Sequence, residues 1–283
     1  MKLLTCAQAL DLARAARLER LDAQWLLLHA LGKPVADRGW LLTHDADVLA
    51  QNVADAFGIF VQRRAEGEPL AYIVGSKEFF GLPLQVDARV LVPRPDTETL
   101  VQWSLDLILL ADPPPVLQIL DLGTGSGAIA LAIAHSLRAA SCNAQVVAVD
   151  ASLDALDVAR ENNRLLGLDV AFIESCWFDK VSSTFHLIAS NPPYIASGDA
   201  HLAALVHEPL QALTAGADGL DDIRRIVECA PDHLLPGGWL LLEHGYDQAA
   251  RVRALLQQRG FGQVQSRDDL AGNERCSGGT WPL

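Results

Sequence analysis

The stretch Asp121-Leu122-Gly123-Thr124-Gly125-Ser126-Gly127 constrains the fold more than any other part of the chain. The apolar run Val116–Leu120 leads into it, and Ala128–Leu137 leaves it with helical periodicity. A second apolar run, Val146–Val149, then closes on Asp150. Strand, glycine turn, helix and strand make the βαβ unit of a doubly wound α/β domain. The pattern continues downstream. Leu153–Leu166 predicts a helix, Val170–Ile173 and Phe185–Ala189 predict strands, and Asp222–Leu234 predicts a further helix. Gly238–Glu243 reads as a strand and Gln248–Arg259 as a helix, with a last strand pair near 262–266 and in the tail.

Alternating glycines let the backbone pass close to a ligand and open a helix whose amides face it. Such turns also serve tight strand-to-helix packing alone. Asp150 sharpens the reading. It ends the next strand at roughly the 20-residue interval at which an acidic side chain takes ribose hydroxyls in nucleotide folds. An Asp there also suits a helix N-cap. The spacing is Gly-x-Gly-x-Gly after an acid, not the Gly-x-Gly-x-x-Gly that guards a pyrophosphate. With Asp121 at the entrance, the turn suits a ligand with a positive end, such as the amino acid and sulfonium of S-adenosylmethionine. Trp177 follows the third strand, where an adenine would sit; core packing is its other reading.

The second chemical stretch is Asn191-Pro192-Pro193-Tyr194, which stops the strand Phe185–Ala189. Proline supplies no N–H and pushes its predecessor toward extended geometry. The carbonyls of Asn191 and Pro192 are therefore not consumed by a helix. With the Asn191 side-chain oxygen they cluster acceptors at the carboxyl end of a strand, where open α/β sheets bind ligands. Tyr194 adds an aromatic face. Two acceptors and a ring suit a planar group bearing –NH2. A proline-stiffened turn is the alternative for Asn-Pro-Pro in isolation.

Composition excludes several classes. The 283 residues carry a formal net charge of −13, which disfavours gripping a duplex by its phosphates. No direct nucleic-acid binding is expected. Five scattered cysteines, Cys6, Cys142, Cys176, Cys229 and Cys276, contain no Cys-x-x-Cys and predict reduced thiols in a cytoplasmic protein, without a metal site. No run approaches the ~18 apolar residues of a membrane span. The start, Met1-Lys2-Leu3-Leu4, resembles the head of a signal peptide, but Asp11, Arg14 and Arg17 arrive too soon for a cleavable one.

Residues 1–72 predict a small helical domain. Thr5 is a candidate N-cap, Leu21–Leu31 a strongly apolar helix and Val48–Arg64 another. The domain either recognises a partner or packs as an accessory. Residues 73–95 predict a hairpin linker, with Phe79-Phe80-Gly81 and Leu84–Asp87 flanking Leu82-Pro83. Residues 96–283 form the main domain, entered through Asp96 or Thr97 as cap of a helix Leu100–Leu110, with a break at Asp112–Pro115.

Together these residues resemble the glutamine-N5 methyltransferases of class 1 peptide chain release factors, the PrmC/HemK family. The resemblance runs over nearly the whole chain. It is carried by 68–73, Glu78-Phe79, Val92–Pro95 with Thr97-Glu98, 121–131, Ala148–Asp150 and Asn191–Tyr194. It continues through His207–Pro209, Asp218–Leu220, Pro236–Gly245 and Asp269–Gly272. It implies a Rossmann-like methyltransferase domain behind a small N-terminal helical domain, joined by a β-hairpin. It implies S-adenosylmethionine as cofactor, with Gly123, Thr124, Gly125, Ser126 and Gly127 around its methionine part. Asp150 would take the ribose and Trp177 flank the adenine. Asn191 would also border the cofactor.

The acceptor would be the glutamine of a Gly-Gly-Gln motif in a release factor, met by a monomeric enzyme. Asn191, Pro192, Pro193 and Tyr194 would hold its amide, with Arg94 and Glu98 shaping the pocket. Two positions depart from the family pattern: Cys176 where Asp is common, and Asp96 where Glu is usual. Three other readings share parts of the pattern. They are an amino-methyltransferase of DNA acting on a flipped base, a nicotinamide-dependent oxidoreductase, and a non-catalytic protein on a methyltransferase scaffold.

Overall fold

The computed structural model describes residues 4–35, 37–109 and 114–282. The start Met1-Lys2-Leu3, the helix end at Leu110 and the first half of the Asp112–Pro115 break lie outside the described residues. The chain divides into two compact units, Met1–Ser76 and Lys77–Leu283.

The first unit is helical: α1 (Cys6–Ala15), α2 (Arg20–Ala30), α3 (Arg38–Thr43), α4 (Gln51–Ala65) and α5 (Leu70–Val74). Thr5 caps α1 as expected. Its hydroxyl accepts the Gln8 N–H while the Gln8 side chain accepts the Thr5 N–H, a capping box worth about 1 kcal/mol. Helix α2 is the centre, touching each of the other four. Its Leu26, Leu27 and Leu28 are fully buried, together with Ala9, Ala13 and Phe57.

A hairpin of β1 (Ser76–Phe79), whose first residue closes the first unit, and β2 (Leu82–Gln85) opens the second. The turn is Phe80-Gly81, not the expected Leu82-Pro83. Both turn residues have positive φ, 51° and 78°, the geometry that matches strand twist in a two-residue hairpin. Pro83 lies within β2, tolerated because this sheet has only two strands, both edges.

Next come α6 (Glu98–Leu109), β3 (Leu117–Leu122), α7 (Ala128–Ala139), β4 (Ala144–Asp150), α8 (Leu153–Leu166), β5 (Val170–Glu174) and β6 (Phe185–Ser190). The chain ends with α9 (Asp221–Cys229), β7 (Leu234–Glu243), α10 (Ala249–Arg259), β8 (Gly262–Asp268) and β9 (Glu274–Thr280). The seven-stranded sheet runs β5-β4-β3-β6-β7-β9-β8, parallel through β7, with β9 antiparallel to both of its neighbours. Strand residues alternate between two apolar layers. Ile119, Leu187 and Leu241 face the layer that holds Trp103 of α6 and Leu131 of α7. Leu120, Ile188 and Leu240 face the layer that holds Ile226 of α9 and Val252 of α10. Burial on both faces is why these strands read as continuous apolar runs.

Two expectations change here. The helix expected over Asp222–Leu234 stops at Cys229 and continues as a single 3₁₀ turn, Ala230–His233. Pro231 cannot donate the next helical hydrogen bond, and β7 starts early, at Leu234. Asp96 and Thr97 do not cap α6. They lie inside a 3₁₀ turn, Pro95–Thr97, that runs straight into Glu98.

Candidate active site

The order of strands places the two chemical stretches side by side. Sequence direction reverses between β3 and β6, the switch point at which open α/β sheets bind ligands. Leu122 pairs with Ser190, so Gly123 and Asn191 leave the sheet as neighbours. The Ser190 hydroxyl donates to the Leu122 carbonyl at 2.7 Å and ties the two exits together.

Asp121 does not stand at the entrance of the site. It is fully buried, and one of its oxygens accepts the Thr124 hydroxyl at 2.6 Å and the Ala130 N–H at 3.2 Å. Its other oxygen is buried without a hydrogen bond, and burial pushes the carboxyl up to about 7. Its work is to hold the glycine loop against the start of α7. Asn162 holds the loop from behind, donating to the carbonyls of Ser126 at 2.9 Å and Gln85 at 3.0 Å.

Asp150 lines the cavity onto which the glycine loop opens. Its carboxylate accepts the Gly125 N–H at 2.8 Å and the Ser152 N–H at 2.9 Å. Burial raises its pKa against those bonds. The backbone N–H of Ala151 also acts on it, and the carboxylate's remaining acceptor capacity suits a ribose hydroxyl. Trp177 sits in the turn after β5 with φ 52°. Its indole N–H donates to Asp222 at 3.1 Å, which fixes the ring, and a Cβ added at Gly123 would stand 3.3 Å from it. Ring and loop are two walls of one slot.

That slot is a cavity of 250 Å³ whose lining includes Gly123, Gly125, Asp150, Trp177, Asn191 and Asp222. A Cβ at Gly125 would meet nothing within 4 Å, so the loop opens onto free space. An aromatic wall, a carboxylate with remaining acceptor capacity and an open glycine loop fit a nucleoside linked to an amino acid. S-adenosylmethionine is such a molecule. Cys176 also lines the cavity, with its sulfur 3.3 Å from an Arg225 nitrogen.

A second cavity, 440 Å³, lies against the first. Its lining includes Arg94, Asn191, Pro192, Tyr194, His201 and Leu213. The prolines divide between the two, Pro193 on the first and Pro192 on the second, while Asn191 borders both. The Asn191 side-chain N–H donates to the Thr97 hydroxyl at 3.2 Å. Tyr194 donates its hydroxyl to Glu243 at 3.3 Å, and its carbonyl accepts the Gln248 amide at 3.0 Å. Burial raises the Tyr194 pKa, so the phenol stays protonated. Glu243 is fully buried, and burial pushes it up to about 7 against the lowering effect of the Thr97 hydroxyl and Arg275.

Arg94 pairs with the buried Glu208, whose other oxygen accepts the Val92 N–H at 3.1 Å. Arg94, Asn191, Pro192 and Tyr194 thus line one cavity. Glu98 is not with them. As the first residue of α6 it turns to the hairpin, where its carboxylate accepts the Phe80 N–H at 3.0 Å. Sequence reasoning missed Thr97, Glu208, Asp222 and Glu243 as site residues. Each falls within or beside a stretch that resembles the family, which was the only signal available.

Residues 5–75 match the family model described as PrmC N-terminal domain, and residues 107–219 match Methyltransferase small domain. A release factor glutamine methyltransferase of Burkholderia pseudomallei is 47% identical, over 98% of this chain and 97% of its own. One of Xylella fastidiosa is 45% identical, over 97% and 98%. Among solved structures, a methyltransferase from Pyrococcus furiosus matches at 21% identity and TM-score 0.53, over 72% of this chain and 91% of its own. That likeness shows the fold of the second unit's class.

Proposed function

We propose how the two cavities work on one premise: this chain belongs to the release factor glutamine methyltransferases. It is an S-adenosylmethionine-dependent enzyme that methylates a release factor on glutamine. The observation that carries the site assignment is the position of Asn191, the polar residue that borders both cavities, beside the apolar Leu91 and Ala212.

In the first cavity, Gly123, Thr124, Gly125, Ser126 and Gly127 would hold the methionine end of the cofactor. Asp150 would take its ribose, and Trp177, held by Asp222, its adenine. The cofactor supplies an electrophilic methyl group on a sulfonium. In the second cavity, the Asn191 oxygen and the Pro192 carbonyl would each accept one N–H of the glutamine of a Gly-Gly-Gln motif. Pro193 keeps the backbone between them extended.

Amide resonance, reflected in a rotation barrier of ~18–20 kcal/mol, delocalises the nitrogen lone pair. Two fixed acceptors orient that nitrogen, and they bind more tightly as it gains positive charge, which favours the transition state over the ground state. The Tyr194 ring flanks the amide plane, and its hydroxyl, anchored on Glu243, fixes the far end of the ring. Arg94 closes the outer side of the pocket. Orientation of this kind supplies on the order of 7–11 kcal/mol in well-aligned systems.

The alternative readings, DNA amino-methylation and nicotinamide-dependent oxidation, find no support among the relatives. We assign the helical first unit to recognition of the release factor. The charge of −13 fits a protein substrate better than a nucleic acid. We expect a monomer acting in the cytoplasm; among the described residues no helix is long and apolar enough to cross a membrane. The test is transfer of labelled methyl to purified class 1 release factor, to the factor with Ala in place of that glutamine, and to duplex DNA. Label on the intact factor alone supports the reading. Label on DNA, or equal label on both factors, refutes it.

A further inference from the structure

Asn191 can serve as an acceptor only if its amide is turned with oxygen toward the glutamine. The two ends of an amide are nearly the same size, so shape alone does not choose between them. A hydrogen-bond partner must choose. Behind Asn191 that partner is the Thr97 hydroxyl, buried at 3% exposure. A hydroxyl has one proton and can donate or accept, so Thr97 needs its own partner to choose its direction.

Glu243 stands on the far side of Thr97. It ends β7 one residue beyond Leu242, which pairs with Ser190, so the register sets it beside Asn191. It is fully buried, and one of its oxygens has no hydrogen bond. The Tyr194 hydroxyl donates to it at 3.3 Å, the nearby Thr97 hydroxyl lowers its pKa, and Arg275 and Asp96 are the charged groups that act on it. A Thr97 proton directed at Glu243 leaves the Thr97 lone pairs to the Asn191 NH2, the sense in which the 3.2 Å Asn191–Thr97 bond runs.

We propose, building on the family reading above, that Glu243 is a positioning residue that acts through Thr97 and Tyr194. One buried acceptor sets the sense of two hydroxyls, and these lock the amide of Asn191 oxygen-first and the ring of Tyr194 in place. No group of Glu243 touches the substrate. Above pH 7, where Glu243 is ionised and can only accept, its replacement by Gln is not neutral, because an amide N–H can donate to Thr97 and reverse the direction of the relay.

The test measures, above pH 7, single-turnover methyl transfer to the release factor at saturating S-adenosylmethionine, and cofactor affinity by calorimetry. Thr97→Val, isosteric and without the hydroxyl, and Glu243→Gln should each slow transfer by about tenfold, the worth of one buried hydrogen bond. Cofactor affinity should stay within about twofold, since neither residue lines that cavity. Thr97→Ser should restore the rate. The discriminating experiment repeats Thr97→Val in an Asn191→Ala background. If Thr97 acts through Asn191, the second change costs less than about twofold there, because the side chain it orients is gone. A full tenfold loss in that background overturns the proposal, as does a Thr97→Val enzyme at wild-type rate. Transfer by the wild-type enzyme is the control for the family reading; its absence would remove that reading and this inference with it.

Discussion

Replacing Glu243 by Gln should stabilise the protein at neutral pH while it slows the enzyme. An unfolded Glu titrates near 4.5, and burial raises Glu243 to about 7 in the fold. Between those values the folded state holds a proton that the unfolded state has released. Stability therefore falls as pH rises from 4.5 to about 7, and the loss is complete above that. A shift of this size is worth about 3 kcal/mol. Gln carries no charge and escapes the penalty. Other buried acids, Asp121 and Asp150 among them, are present in both proteins and cancel in the difference. The assay is urea unfolding of wild type and variant at several pH values from 5 to 8, followed by tryptophan fluorescence. The variant's advantage should grow by about 3 kcal/mol toward neutral pH and then level off. An advantage independent of pH would mean that Glu243 is ionised at its ordinary pKa, and the argument from burial would fail.

Three further outcomes follow from the site. Asn191→Ala should lower the single-turnover rate by ~10²-fold or more, by analogy with removal of an oxyanion-hole donor; a rate within threefold of wild type would remove Asn191 from its role. Trp177→Ala should weaken S-adenosylmethionine binding about tenfold, within the 1–3 kcal/mol that base stacking is worth, and isothermal titration reads it directly. Gly219→Ala should disturb the Asn191–Tyr194 turn, because its Cβ would fall 2.2 Å from the Tyr194 carbonyl oxygen at φ 73°. We expect a loss of about 1–3 kcal/mol in stability and a slower enzyme with cofactor affinity retained, measured by denaturation and calorimetry together.

Local pattern alone was enough for the strand–glycine turn–helix unit, the later alternation of strands and helices, the Thr5 cap and the Asn191–Tyr194 stop. Each rests on periodicity, backbone freedom or a missing N–H, which are properties of a few consecutive residues. The places of Asp150 at the end of β4 and of Trp177 after β5 were legible for the same reason. Local pattern failed where conformation depends on distant partners. The hairpin turned at Phe80-Gly81, and Asp121 faced inward to Thr124 rather than toward the ligand. Glu98 accepts the Phe80 N–H in the hairpin and is not part of the lining of the second cavity. The pairing of Leu122 with Ser190 and of Ser190 with Leu242 decided that Gly123, Asn191 and Glu243 would meet at one edge of the sheet. A carboxylate shows no periodicity that marks it as buried, so Glu208, Asp222 and Glu243 acquire their roles only from what the fold packs around them.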